Sequence, residues 1–383
     1  MIFIKRYDTI SLLIRAKIQI MNAIPSRRNH KMNRFIFSFF FVFLAAQGSF
    51  QVALGAIPAA QRNALIDLYN HTGGSSWTVN TNWLGPAGTE HAWHGITCDS
   101  GNNHVIEIDL HANNLSGALP DSIGDLTELI ILKLYGNDIT GSIPITINAL
   151  TNLTYLAVSD NRLSGTIPTG IGTLLNLTYL SISNNRISGN IPSSISSLTN
   201  LTDLWLDSNE LGGSIPSGIG GLTELRSLAL SGNQLNDEIP VLIGSLINLQ
   251  YLSLDNNELT GGIPAEIGNL TGLTYLSLSD NQLTGTIPDD IGNLENLTIL
   301  LISNNQLQGR IPEELKLLTS LIDNRSDFRY NNFSTTVSDA LRTFLSRKQT
   351  GGDWETTQGA GNPAPTPSAQ DDDDSSCFFR AAT

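Results

Sequence analysis

Cysteine is almost missing from this chain: 383 residues hold two, Cys98 and Cys377. That excludes a dense disulfide framework, and no His or Cys spacing matches a zinc site, so no metal is expected. Basic residues are also scarce, 21 Lys and Arg against 35 Asp and Glu, for a net charge of -14. Phosphate backbones require a cationic surface, which argues against nucleic acid as a partner. Charged residues amount to 15% and aromatics to 7%. What fills the chain instead is Leu, Ile, Asn, Gly, Ser and Thr in strict order.

Nine copies of a 24-residue unit, LxxLxLxxNxLxGxIPxxIGxLxx, run without insertion or deletion through residues 105–320. Self-similarity at a fixed period is the mark of a solenoid, in which each unit contacts its neighbours and one core extends along the axis. One elongated domain is therefore expected despite the length. The Leu-x-Leu alternation, as in Leu204 and Leu206, places those side chains on one face of a short strand. One strand per coil predicts a long parallel sheet. Asn recurs at the ninth position from Asn113 to Asn305. An amide carries both donor and acceptor, so stacked Asn side chains satisfy turn groups that burial would orphan. Gly follows from Gly117 to Gly309, interrupted once by Asp237, and the sixth coil is expected to turn slightly differently there. Ile-Pro or Leu-Pro steps from Pro120 to Pro312 hold the preceding residue extended on the return side.

These residues resemble the plant-type leucine-rich repeat over most of the chain, roughly residues 57–347. The resemblance implies an α/β solenoid, a horseshoe or superhelix with a parallel β-sheet on its concave face and helical caps at both ends. Residues 57–104, with Trp77, Trp83, Trp93, Gly95 and Cys98, are similar to the family's N-terminal cap, whose usual form is C-x-W-x-G-V-x-C. His91 stands where the first cysteine belongs, leaving Cys98 without a neighbour to pair with. The cap is expected to rest on tryptophan burial and a helix near residues 59–69 instead. An irregular tenth turn with Phe328 and Asn331, and a short amphipathic helix near 337–347, make the C-terminal cap of residues 321–348. Residues 349–383, ending near Asp371 to Asp374, read as a disordered acidic tail, too poor in apolar residues to pack.

Residues 32–56 have the form of a secretory signal: Met32-Asn33-Arg34, an apolar run from Phe35, then small residues. A cleaved signal and an uncleaved signal anchor are both open, which makes the protein secreted or membrane-anchored. The basic extension of residues 1–31 reads as sequence upstream of a true start at Met32, with a basic transit peptide as the alternative. Export gives meaning to nine N-x-[ST] sequons, at Asn70, Asn114, Asn152, Asn176, Asn200, Asn269, Asn296, Asn324 and Asn332. Several share one repeat phase, so the repeat consensus alone also accounts for them.

Function is expected on the outward side of the sheet, at the third, fifth and seventh positions of each coil. Eight steps of about 4.8 Å make a surface on the order of 38 Å long, enough for a protein, a peptide or an extended glycan. Asp203, Trp205 and Asp207 alternate on one strand, with Tyr155 and Tyr179 on one side and Tyr251, Asp255 and Tyr275 on the other. Trp and Tyr are common interface anchors, and they also stack on sugars; a tyrosine ladder that only stabilises the coils is the competing reading. Lys133 is the only Lys or Arg in these columns, so a neutral or basic partner is favoured. His91, His94 and His111 lie near Cys98 and Asp109 in sequence, but nothing fixes a base beside an activated thiol. No catalytic residue and no cofactor are expected.

The resemblance implies a non-enzymatic recognition protein, like the ectodomains of receptor-like proteins and receptor kinases or like polygalacturonase inhibitors. Neither a kinase signature nor a second apolar run follows the repeats, so signalling would call on a membrane co-receptor. Two alternatives stand. Antifreeze proteins share this repeat class, and a serine column (Ser159, Ser183, Ser231, Ser279, Ser303) offers regularly spaced hydroxyls. A passive, glycosylated wall or matrix component is the other.

Overall fold

The computed structural model describes residues 56–359, and the expected signal (but for Ala56), the basic extension and the aspartate run lie outside them. Helix α1 (Ala59–His71) opens the cap and buries Ala64, Leu65 and Leu68 against the first coil. Gln61 ties it to the sheet, its side-chain oxygen accepting the Val105 amide at 2.9 Å. Four rings then pack in series: Tyr69 with Trp77 (5.2 Å between centroids), Trp77 with Trp83 (4.8 Å) and Trp83 with Trp93 (5.0 Å). Trp77 and Trp83 each donate an indole hydrogen bond to a backbone carbonyl, so their polar edges are satisfied inside the apolar cluster. Arg62 lies 5.1 Å over Trp93 and pairs with the buried Glu90. Aromatic burial thus holds the cap together around a free Cys98.

Ten strands form the main sheet. Ile96–Cys98 runs antiparallel to Val105–Asp109; eight parallel strands of three residues follow, one per coil, ending at Ile299–Leu301. Among the parallel strands the register never slips, so Asp203 faces Tyr179 on one side and Ser227 on the other. The strands are short because only the Leu-x-Leu triplet is extended. Leu204 and Leu206 are fully buried between coils. The buried row of Leu and Ile from Val105 to Leu321 is one continuous core along the axis.

The coils contain more regular structure than one strand each. A second, six-stranded parallel sheet runs from Ser116–Ala118 to Gln234–Asn236, built from the Leu-x-Gly segment of the first six coils. The return side carries a five-residue 3-10 helix after every repeat proline, from Asp121–Asp125 to Glu313–Leu317. Proline's fixed φ sets the entry angle, and the next Ile or Leu turns into the core. Asp237 takes φ +64°, beside +70° at Gly213 and +71° at Gly261. The turn is therefore preserved, at about 1 kcal/mol of left-handed strain for a side chain. What changes is the sheet, which ends at Asn236 just before it.

The asparagine ladder forms as the amide chemistry predicts. Asn209 donates to Leu206 of its own coil (3.2 Å) and to Ile182 of the preceding one (3.1 Å), while its oxygen accepts the Ile187 amide at 3.0 Å. Asn331 continues the row into the irregular tenth turn. Helix α2 (Asp339–Lys348), capped by Ser338, covers the last coil. The tail boundary at 349 falls too early: Trp354 is fully buried, Gln358 bonds to Phe328 and Phe333, and Gly359 to Asn331. One large aromatic in a polar stretch supplies the apolar area that composition alone underrates.

Candidate functional site

The concave face is set by the register: with Leu204 and Leu206 buried, Asp203, Trp205 and Asp207 project on the opposite side. The aromatic residues there are partly buried because they pack on one another. Tyr155 stacks on Tyr179 (4.3 Å, 4° between planes) and Tyr251 on Tyr275 (4.6 Å, 9°). Trp205 leans over the small sixth coil to meet Tyr251 at 5.5 Å. Burial, reinforced by the neighbouring tyrosine, raises the phenols of Tyr179 and Tyr251 far above their usual range, so both stay neutral. The expected residues therefore form two groups, a Tyr155–Tyr179 pair and a Trp205–Tyr251–Tyr275 row.

At the N-terminal end the charges are matched. Lys133 lies 3.3 Å from Asp109 and 3.5 Å from Glu107, with its ammonium 5.8 Å from the Tyr155 ring centroid. His111 bonds to Asp109 at 2.5 Å and stacks on Tyr135 at 4.8 Å. The acids further along differ. Ser183 donates to Asp207 at 2.5 Å, Ser253 to Asp255 at 2.6 Å, and Thr202 to Asp203 at 2.7 Å. Among the described residues no Lys, Arg or His forms an ion pair with these three. Burial lifts the Asp207 carboxyl to about 6, aided by the nearby Asp160 and Asp255 charges and opposed by the Ser183 hydroxyl. Asp160 and Asp280 join this acidic row from the eighth position, which reasoning from the third, fifth and seventh columns passes over. Both sit at positive φ (+53° and +54°), where the chain leaves the strand.

The serine column is not an open hydroxyl array. Ser159, Ser279 and Ser303 are 2%, 7% and 6% exposed, and the last two bond to each other at 3.0 Å. His91 and His94 are exposed cap residues. Burial, with the charge of Asp99, pushes the half-buried Cys98 thiol up to about 11, far from a nucleophile's range.

All nine sequon asparagines are exposed. Four of them form a second ladder that sequence reasoning missed: Asn152, Asn176, Asn200 and Asn296 each donate to a carbonyl 25 residues earlier, in the preceding coil, at 2.8 to 3.0 Å. Asn248, outside any sequon, makes the same bond at 2.9 Å. The repeat phase of Asn-Leu-Thr therefore has a structural cause. One amide proton suffices for the ladder, which leaves the other available for a glycan.

Comparison with known proteins bears on this geometry. The family described as Leucine rich repeat matches residues 175–235 and 247–307, and a second model of that description matches 104–126 and 152–174. The chain is similar to the LRR ectodomain of the plant membrane receptor kinase GASSHO1/SCHENGEN3 from Arabidopsis thaliana, solved in complex with CASPARIAN STRIP INTEGRITY FACTOR 2. The two are 33% identical with a TM-score of 0.70, over 76% of this chain and 34% of that one. PEPR1, solved with AtPEP1, is 29% identical with a TM-score of 0.59, over 77% of this chain and 48% of that one. A plant ice-binding protein is 26% identical with a TM-score of 0.62, over 81% of this chain and 100% of that one. No match was found among the curated proteins. This is a leucine-rich repeat protein of the plant type. It spans between a third and a half of those receptor ectodomains but the whole of the ice-binding protein.

Proposed function

We propose that the protein is an exported, non-enzymatic recognition module that binds a peptide, protein or glycan on its concave face. The observation that carries this reading is the strip from Asp203 to Tyr275, where packed rings lie beside Asp203, Asp207 and Asp255, which among the described residues form no ion pair with Lys, Arg or His. Partly buried aromatic anchors flanked by unneutralised charge are what an interface supplies to a complementary partner. Two receptors of similar fold were solved with CASPARIAN STRIP INTEGRITY FACTOR 2 and with AtPEP1, which supports ligand binding by such a scaffold, while the preference for a neutral or basic partner rests on the carboxylates of this strip. A membrane co-receptor would be needed for signalling, and the nine exposed sequons are proposed glycan acceptors. In a capture experiment from extracellular extract with the full chain as bait, Trp205→Ala and Asp207→Lys should each abolish capture and leave circular dichroism unchanged. Unchanged capture by both variants rejects the site.

Ice binding is the second reading, favoured by the full-length match to the plant ice-binding protein. Its surface would lie along the second sheet, where Ser116 of the first coil, Thr140 and Ser142 of the second, Thr166 of the third and Ser214 of the fifth are exposed. Thermal hysteresis of the purified chain decides it, and zero activity removes it.

A further inference from the structure

We propose that the cleft between the N-terminal cap and the first coils seats the first sugars of a glycan carried on Asn152. This rests on the reading of the exposed sequons as glycan acceptors and gives one of them a built site on the protein. The cleft, of about 340 Å³, is lined by the acceptor Asn152 and by Thr154, the hydroxyl residue of the same sequon. Ile106 and Ile130 line it as well, and Ile130 is 38% exposed. Two branched apolar side chains in a row offer a surface that the C–H face of a pyranose ring covers, since the contact removes apolar area from water. Their column holds Thr in five of the nine coils, so among the four ladder sequons only Asn152 is preceded by two isoleucines.

The rest of the cleft supplies both kinds of hydrogen-bonding group. The Gln61 side-chain oxygen accepts the Val105 amide at 2.9 Å, so its nitrogen donates to His104 Nδ1 at 3.4 Å and the neutral imidazole carries its proton on Nε2. His104 is thereby a donor at the cleft, alongside the acceptor carboxylates of Asp99 and Glu128. Sugar hydroxyls donate and accept, and so match this mixed lining. Asn152 is placed for the attachment too: its nitrogen donates to the Thr127 carbonyl at 3.0 Å and stands 3.3 Å from the Glu128 carboxylate. Replacing the proton on the Glu128 side keeps the ladder bond and starts the glycan at the cleft. In that step the Asn152 nitrogen bonds to the anomeric carbon of a diphosphate-linked oligosaccharide and the carbon–oxygen bond to the diphosphate breaks; the diphosphate leaves as an anion and the amide loses one proton.

The test expresses the full chain through a eukaryotic secretory route, maps occupied sequons by glycopeptide mass spectrometry, and follows release of each glycan by peptide N-glycanase from the folded protein. Asn152 should be occupied, and its glycan should be released roughly tenfold more slowly than those at the other sequons. In an Ile106→Thr/Ile130→Thr variant that lag should vanish. Both side chains are partly exposed and Thr is the commonest residue of their column, so the variant keeps the fold. An unmodified Asn152 among occupied sequons, release as fast as elsewhere, or a lag that survives in the variant each overturns the seat and leaves the glycan-acceptor reading standing. Occupancy of no sequon overturns that reading, and the seat with it.

Discussion

Asp207 and Asn209 lie two residues apart on one coil and obey opposite rules. Asn209 is buried and bonds to two coils, and its column is Asn in all nine repeats. Asp207 belongs to a column that reads His, Tyr, Ser, Ser, Asp, Ser, Asp, Ser, Ser. The difference teaches that repetition tracks buried hydrogen bonding: where backbone groups depend on one amide, no other side chain serves. Where a column faces outward, identity is released. The exposed ladder lies between. Its column holds Asn at five of nine positions and otherwise Glu, Gly or Ser, as expected when a single surface bond is at stake.

Four substitutions sharpen or break that comparison. The largest effect is expected from Asn209→Ala, which orphans the Ile187 amide and takes one of two ladder donors from the Leu206 and Ile182 carbonyls, at about 3 kcal/mol. A drop in the urea midpoint with binding retained would support the division; an unchanged midpoint would break it. Trp205→Ala should do the reverse, losing about 2 kcal/mol or more of binding with stability nearly intact, checked by titration of any captured partner.

pH gives a smaller and signed effect. The folded Asp207 carboxyl titrates near 6, above its ordinary value of about 4, so its ionised form burdens the folded state above that range. That cost is released as pH falls through 6. Wild type should therefore gain on the order of 1 kcal/mol relative to Asp207→Asn between pH 7 and pH 5, read from parallel unfolding curves. Equal slopes for the two proteins would place the carboxyl in an ordinary solvated setting. The smallest effect belongs to Asn176→Ala, about 0.5 kcal/mol, since it removes one exposed bond and leaves a carbonyl that water can reach.

Much of the fold was legible because its causes are local and repeated. Strand register, the buried ladder and the apolar core each follow from a residue type at a fixed phase. The second sheet was not legible, since Leu-x-Gly segments carry no alternation to mark a strand. Trp354 was hidden for the opposite reason: one aromatic in a polar stretch makes no periodic signal, yet it seals the last coil. At the site, Trp205 and its neighbours were identifiable as outward residues, but their stacking depended on ring orientation across coils. The serine column read as open because small side chains look accessible in sequence, whereas the surrounding coils cover three of its five members.

Sequence alone determined the solenoid, its length, and the columns that face outward, because each coil repeats the same short-range chemistry. Only the tertiary structure decided which outward groups are neutralised and which are not. That property depends on distances between coils 24 and 48 residues apart in sequence, as between Lys133 and Asp109 or Asp207 and Asp255. No spacing rule within one repeat encodes it.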